Sequence, residues 1–394
     1  MIRYKNFFIG LLILAFIFQI LKFYTFYEEY SDWQYADWLI NYQGGFIRRG
    51  LIGELLLQIH HFLSINLDIL VFCFVVFLYS ILLILLIKSV KYLETSKIDT
   101  LIFLSPGFFL YPIMNSEVIG RKEILLFVIL GSFVFLEKYL KDKYLLLITL
   151  ISILVISLTH TGLLFYSQYL VFLYFLISLS RNKEISFSEI LIIAIYLLVL
   201  FLFLFSSESS KSQVLEICNS VKDFVKNDCV NRGQFFWLYR PMTEYFDVKL
   251  TLDLESNFLI YSLSLFLVFV FISIKLYFSK FKSENNFLGV LNPFVIFLLL
   301  FVFTIPIYIV GIDWGRYISM SFFSTYFIYI YLIKQKMIFF NSKNSFLKKK
   351  ISKNLFFIFV LIYAFTWTFP FYGANSFKFT LKKPLVSALK IINN

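Results

Sequence analysis

The chain has 394 residues, of which 60% are hydrophobic, with a mean hydropathy of +0.82 and a formal net charge of +12. A soluble domain is closer to half apolar, and its apolar residues follow a period instead of filling long blocks. Composition therefore excludes an ordinary soluble protein. We predict an all-α fold, a polytopic membrane helix bundle in which residues 1–394 form a single integral membrane domain.

The apolar blocks are long enough to cross a bilayer, which takes about 20 residues per helix. The first block, Phe7 to Phe23, follows two basic residues, and no small-residue cleavage site follows it. We therefore interpret it as a retained span and not as a signal peptide. In total we predict about eleven spans, and they cover residues 6–24, 67–88, 99–115, 122–137, 144–160, 162–180, 189–206, 257–278, 288–311, 317–334 and 354–371.

Basic residues divide between the two predicted sides of the membrane by type. With the N-terminus inside, the inner loops carry lysine, and the densest run is Lys334 to Lys353. Arginine is the better bidentate ligand for phosphate, and most arginines fall on the outer side. An outer arginine has two interpretations, a helix anchor paired with an acid or a substrate ligand. The outer arginines are Arg48, Arg49, Arg121, Arg232, Arg240 and Arg316.

Two long extracytoplasmic loops are predicted, residues 24–66 and 207–256. The first is amphipathic and predicts helices at the membrane interface, with Trp33 and Trp38 at headgroup level. The second holds Cys218 and Cys229, which are either a disulfide or two free thiols. The apolar face of the first loop repeats at helical spacing through Leu51, Leu55, Ile59 and Phe62.

The first loop also contains the densest polar segment, Asp32–Glu54. Gly44 and Gly45 permit a sharp turn, and Arg48 and Arg49 follow, so a large anion can approach closely. Asp32 and Asp37 are five residues apart and would not share a helix face, so we predict no metal pair. Either acid is a solvated interfacial group, a helix cap, a general base or a metal ligand.

Three shorter clusters resemble this segment in composition, and we predict that all four meet at the outer face of the bundle. In Gly120–Glu123, Arg121 and Lys122 lie at a predicted helix start, which favours a diphosphate. The alternative for both is contact with lipid headgroups. His160, in Leu158–Gly162, is a structural hydrogen-bonding residue or a catalytic one.

The third short cluster is Asp313–Tyr317. Its Asp313 and Arg316 either pair with each other or act on substrate, with the acid activating an acceptor hydroxyl and the arginine binding phosphate. Arg240, late in the second loop, is a further phosphate ligand. No nucleotide-binding or zinc motif occurs, so we expect no cofactor and no metal, and the substrate must supply the energy.

In length, span number and arginine-bearing outer loops, the chain resembles polytopic bacterial surface-polysaccharide enzymes. It is similar to Wzy-type O-antigen polymerases and, more loosely, to GT-C-like membrane glycosyltransferases. The likeness covers the whole chain but is architectural, and the polar residues here are richest in the first loop, whereas the polymerases have their main charged loops later. It implies an enzyme of the bacterial inner membrane that works without a metal.

The predicted function is therefore a glycan polymerase that joins undecaprenyl-diphosphate-linked oligosaccharide units, as in O-antigen, lipopolysaccharide or capsule biosynthesis. Its partners would be the lipid-linked substrate, membrane lipids and a chain-length regulator, with no nucleic acid. One alternative is a GT-C-like transferase using a lipid-phosphate sugar, with Asp32 or Asp37 as base. Another is a flippase. The predicted catalytic residues are Asp313, His160 and Asp37, and the predicted substrate-binding residues are Arg48, Arg49, Arg121, Lys122, Arg240 and Arg316.

Overall fold

The computed structural model of the protein describes residues 2–94, 96–182, 187–204, 209–240, 254–282, 292–340, 352–371 and 378–379. These residues are mostly helical and include very little sheet, as predicted. The α-helices are α1 (Ile2–Glu28), α2 (Leu51–Leu63), α3 (Leu67–Val90), α4 (Lys97–Phe103), α5 (Tyr111–Met114), α6 (Glu123–Leu136), α7 (Asp142–Thr159), α8 (Thr161–Leu164), α9 (Ser167–Asn182), α10 (Phe187–Leu204), α11 (Lys211–Ser220), α12 (Gly233–Phe236), α13 (Leu254–Tyr277), α14 (Pro293–Val302), α15 (Ile305–Val310), α16 (Trp314–Lys334) and α17 (Lys353–Phe365).

Two short antiparallel strand pairs complete the described secondary structure. Strand β1 pairs with β2, with Ser279 opposite Phe340, and β3 pairs with β4, with Trp367 opposite Phe379. The strands are β1 (Ser279–Phe281), β2 (Ile338–Phe340), β3 (Trp367–Thr368) and β4 (Lys378–Phe379).

Five helices are long and apolar enough to cross a membrane, by length and composition. This confirms the predicted class of an all-α chain with potential membrane spans. The predicted number of about eleven remains a prediction, because only these five meet both criteria among the described residues. The five are Lys5–Glu28, Leu67–Val90, Asp142–Thr159, Thr161–Arg181 and Phe258–Tyr277.

The predicted span 99–115 is not one continuous helix, because the chain forms two short helices there, α4 and α5. Pro106 and Gly107 lie in the turn between them. The turn is buried, and its polar groups are satisfied by neighbours: Ser319 Oγ donates to the Gly107 carbonyl at 2.9 Å. The described part of the predicted span 288–311 is likewise divided, into α14 and α15, with a proline in the first turn of α15.

Helix α16 lies at the centre of the bundle, since every residue from Gly315 to Leu332 is buried. It packs against α6, α9 and α13. At the α6 contact, Gly131 lies so close to Leu85 and Phe327 that a Cβ would come within 2.9 Å of both. The bundle therefore holds α16 on all sides, and its first turn begins at the predicted cluster Asp313–Tyr317.

Helix α2 is amphipathic as predicted, but it has a second apolar face that packs inward. Ile52, Leu56 and Leu57 are buried, whereas Leu55 and Phe62 are exposed, the latter at 88%. The predicted apolar face thus points away from the bundle, and its place in the membrane interface remains a prediction. The run Lys348–Lys350, residues 241–253 of the second loop and residues 288–291 of the ninth span lie outside the described residues.

Candidate functional site

A cavity of about 470 Å³ lies where the four polar clusters come together. Each cluster contributes to its wall, although the clusters are up to 280 residues apart in sequence. The cavity is thus assembled from distant segments. Its lining residues are Trp33, Gln34, Arg49, Glu117, Arg121, His160, Gln234, Trp237, Gly311, Ile312, Asp313, Arg316, Tyr317 and Phe371.

Lys122 joins three of these segments and does not line the cavity. Its Nζ is fully buried, donates to the carbonyls of Arg49 at 3.1 Å and Thr159 at 3.3 Å, and pairs with Asp37 at 3.4 Å. Two backbone carbonyls and the Asp37 carboxylate therefore surround this Nζ. The predicted role of Lys122 as a phosphate ligand has no geometric support, and its contacts are those of a positioning residue.

Asp37 and Trp38 are buried under the first loop. The predicted headgroup position of Trp38 is wrong, because this side chain is fully buried and its Nε1 donates to the Gly120 carbonyl at 2.6 Å. Asp37 is 1% exposed and pairs only with Lys122 among the described residues. Gly120 itself has a φ of 76°, a left-handed conformation that lets the chain turn into α6.

Arg121 is a buried basic group in the cavity wall with no carboxylate partner among the described residues. Its side chain is 5% exposed, and the guanidinium lies 5.4 Å from the ring centre of Trp33 and 5.5 Å from that of Phe371. Its Nε donates to the Glu117 carbonyl at 3.2 Å. Within the described part of the chain, Nη1 has no hydrogen-bond partner and the guanidinium forms no ion pair. A buried charge in this state is costly unless a ligand completes it.

Arg49 lies across the same cavity. Its Nη1 donates to Gln234 Oε1 at 2.7 Å, and no carboxylate of the described residues pairs with it. Arg48 is half-buried and lies outside the cavity lining. The two adjacent arginines therefore differ in position, and only Arg49 reaches the cavity.

Arg316 is paired on both sides with carboxylates. Its Nη1 pairs with Asp313 Oδ2 at 3.0 Å, and its Nε and Nη2 contact Glu123. These contacts use the donors that a phosphate would need. We therefore interpret Arg316 as the residue that orients Asp313, whose carboxylate lies at the cavity before α16 and is 23% exposed.

His160 lies between α7 and α8 with one ring nitrogen turned toward the backbone. Its Nδ1 accepts a hydrogen bond from the Gly162 N–H at 3.0 Å. Burial lowers the pKa of His160 well below its usual value, and the positive charges of Arg49, Arg316, Lys122 and Arg121 lower this pKa further. The ring is therefore neutral near pH 7, with its acceptor nitrogen already occupied.

Two other predicted residues lie outside the cavity lining. Asp32 pairs with Arg232 at 3.3 Å. The Arg240 guanidinium lies 4.2 Å from the centre of the Phe236 ring, at the last described residue of its segment. Neither geometry presents the predicted group to the cavity.

The second loop covers one side of the cavity. Cys218 and Cys229 form a disulfide with a Cα–Cα distance of 6.1 Å, which decides between the two sequence interpretations. The segment is tied to the first loop where Asn41 Nδ2 donates to Ser220 Oγ at 2.9 Å and the Gln234 N–H donates to the Asp32 carbonyl at 3.3 Å. Gln234 and Trp237 thereby reach the cavity.

Nine of the fourteen lining residues were not among the predicted site residues. The sequence carried a signal for the two tryptophans, since tryptophan in a polar loop offers a face for a sugar or a cation. Glu117, Gln234 and Phe371 have no distinguishing sequence context, because their position depends on folding. The nine residues are Trp33, Gln34, Glu117, Gln234, Trp237, Gly311, Ile312, Tyr317 and Phe371.

Comparisons with known proteins add no assignment to this geometry. No protein-family model matches the sequence, and no curated protein or solved structure matches it significantly.

Proposed function

We propose that the protein is a membrane-embedded glycosyltransferase that uses a lipid-diphosphate-linked sugar, and that it acts as a polymerase of oligosaccharide repeat units. One observation carries this proposal: Arg121, which lines a cavity that also holds Asp313, is buried between two aromatic rings and has a guanidinium nitrogen with no hydrogen-bond partner among the described residues. An anion is the ligand that such a group requires, and phosphate matches the guanidinium fork.

The charges and surfaces of the cavity support a phosphorylated sugar. The wall carries three guanidinium groups, Arg49, Arg121 and Arg316, against two carboxylates, Glu117 and Asp313. Trp237 and Tyr317 add aromatic faces of the kind on which sugar rings pack. A volume of about 470 Å³ is within the usual range of small-molecule sites.

In the proposed reaction, Asp313 removes the proton from an acceptor hydroxyl, and the resulting oxygen attacks the anomeric carbon of the donor sugar. The bond between that carbon and the diphosphate oxygen breaks, and the diphosphate leaves with the electron pair. Arg121 and Arg49 stabilise the charge that develops on it. Arg316 orients Asp313 through their ion pair at 3.0 Å. The leaving group supplies the driving force, so the proposal names no cofactor.

Asp313 is a better base than the other two predicted candidates. Asp37 is buried against Lys122 and is not among the residues that line the cavity. The acceptor nitrogen of His160 is occupied by the backbone. The alternative of a lipid-phosphate transferase with a first-loop acid as base is correspondingly weaker, because Asp32 and Asp37 are both paired away from the cavity.

We further propose that the protein lies in a bacterial inner membrane with the cavity on the outer side, where a chain-length regulator would act on it. Deletion of the gene, with the surface glycan resolved by size, tests the function. A polymerase predicts collapse of a ladder to a single capped repeat unit. Loss or truncation of the unit itself would indicate a sugar transferase or a flippase, and an unchanged ladder would contradict a glycan role in that host.

A further inference from the structure

His160 lines the cavity, and a hydrogen bond from the backbone sets the tautomer of its ring. The Gly162 N–H is a donor only, so the nitrogen that accepts from it, Nδ1, carries no proton. A neutral imidazole has one N–H, which must then be at Nε2. Nε2 has no protein partner among the described residues and is not among the buried polar atoms without a partner. It is therefore open to the cavity that His160 lines.

We propose that His160 is a hydrogen-bond donor that contacts a phosphate oxygen of the lipid-diphosphate substrate through Nε2–H, and that it does not act as a base. This inference rests on the proposed function and assigns His160 to the same anion site as Arg121 and Arg49. A donor that stays neutral binds an anionic oxygen without competing for its proton. The sequence alone had left His160 between a structural role and a catalytic one.

The surrounding charges favour this role across the physiological pH range. Four basic groups act on the imidazole: Arg49, Arg316, Lys122 and Arg121. The carboxylates that line the cavity are Glu117 and Asp313, and Arg316 pairs with Asp313 at 3.0 Å. The positive surroundings therefore oppose protonation of His160, whose pKa they lower together with burial.

Nitrogen NMR of the imidazole tests the tautomer without any assumption about activity. The chain has three histidines, and His60 and His61 lie in the last turn of α2, outside the cavity. The double variant His60→Gln/His61→Gln in lipid nanodiscs leaves His160 as the single signal. We expect the Nε2–H tautomer without titration between pH 8 and 6, and a shift of the Nε2 resonance when a short polyprenyl diphosphate is added. The Nδ1–H tautomer, ordinary titration or no shift would overturn the inference.

Substitution at His160 tests the function of the donor. Glutamine places an N–H near the Nε2 position and does not ionise, whereas asparagine is too short and alanine has no donor. We expect His160→Gln to keep glycan polymerisation within about 3-fold of wild type, and His160→Ala and His160→Asn to lose about 10²-fold, as for removal of one donor to a developing anion. Equal loss in His160→Gln and His160→Ala would overturn the donor role. If gene deletion leaves the ladder unchanged, the proposed function fails, while the tautomer and diphosphate shift are still decided by NMR.

Discussion

Arg181 and Arg121 lie at opposite ends of the helix bundle and differ in their partners. Helix α7 has 18 residues and so is about 27 Å long, and it runs from Asp142 at one end to His160 at the cavity. At the end far from the cavity, Arg181 pairs with Asp142 at 2.6 Å and with Glu137 at 3.2 Å. Lys334 Nζ also pairs with Glu137 Oε1 at 2.9 Å. At the cavity end, Arg121 has two aromatic rings and one carbonyl as neighbours.

This difference distinguishes a basic group that ties helices together from one that we propose binds the substrate. At the far end each basic group named here has a carboxylate, and the helices that carry these groups are tied together by them. The same end contains a second such group, in which Lys275 pairs with Glu94 at 2.8 Å and with Asp99 at 3.5 Å. A buried guanidinium without a carboxylate raises the free energy of the empty protein, and a bound anion would recover it.

The largest change in activity is expected from Asp313→Asn. Removing the proposed base should lower glycosyl transfer by about 10²–10⁴-fold, the contribution of a general base. Transfer is measured in membranes with a labelled lipid-linked oligosaccharide. Asp142→Asn is the matched control, because this acid also pairs with an arginine but is 63% exposed at the far end. Equal activity of the two variants would remove Asp313 from the mechanism.

Lys122→Met should cause the largest loss of stability. It leaves Asp37 as a buried carboxylate without a counter-charge, which typically costs about 3–5 kcal/mol. Chemical unfolding in detergent micelles measures the change. The double variant Lys122→Met/Asp37→Asn removes both charges and should recover a large part of the loss. If the double variant is as unstable as the single one, the pair does not account for the effect.

Arg121→Met should separate activity from stability. We expect a loss of about 10²–10³-fold in transfer, as for removal of a group that stabilises the departing charge, with no loss of unfolding free energy because no ion pair is broken. Arg181→Met is the control at the far end. It should keep activity and lose on the order of 1 kcal/mol of stability, since its pairs are partly exposed. Loss of activity in Arg181→Met and loss of stability in Arg121→Met would contradict these assignments.

The smallest effect is expected from pH. The pKa of His160 in the folded protein is lowered below the value of 6.5 that it has when unfolded. As pH falls through that value, the unfolded chain binds a proton that the folded protein does not, so wild type loses stability on acidification. The slope is at most about 1.4 kcal/mol per pH unit. Thermal unfolding at pH 7.5 and 5.5 should show a larger decrease for wild type than for His160→Gln, and equal decreases would mean that His160 titrates normally.

The continuity of the helices was the part of the fold that hydropathy predicted least well. Residues 99–115 are apolar enough to be predicted as one span, yet the chain turns at Pro106 and Gly107. Hydropathy registers that this segment avoids water. It does not register that neighbouring helices supply hydrogen bonds to a buried turn, as Ser319 does for the Gly107 carbonyl at 2.9 Å.

The sequence by itself determined the class of the protein and the segments that carry its polar groups. Long apolar runs require helices because lipid offers the backbone no partners, and the polar clusters between the runs are visible in one dimension. Only the tertiary structure decided which residue in each cluster reaches the cavity. Arg121 faces it while neighbouring Lys122 is buried against Asp37, and Trp33 lines it while Trp38 packs inside. Adjacent residues in a turn point in different directions, and packing against distant segments selects the direction that each side chain takes.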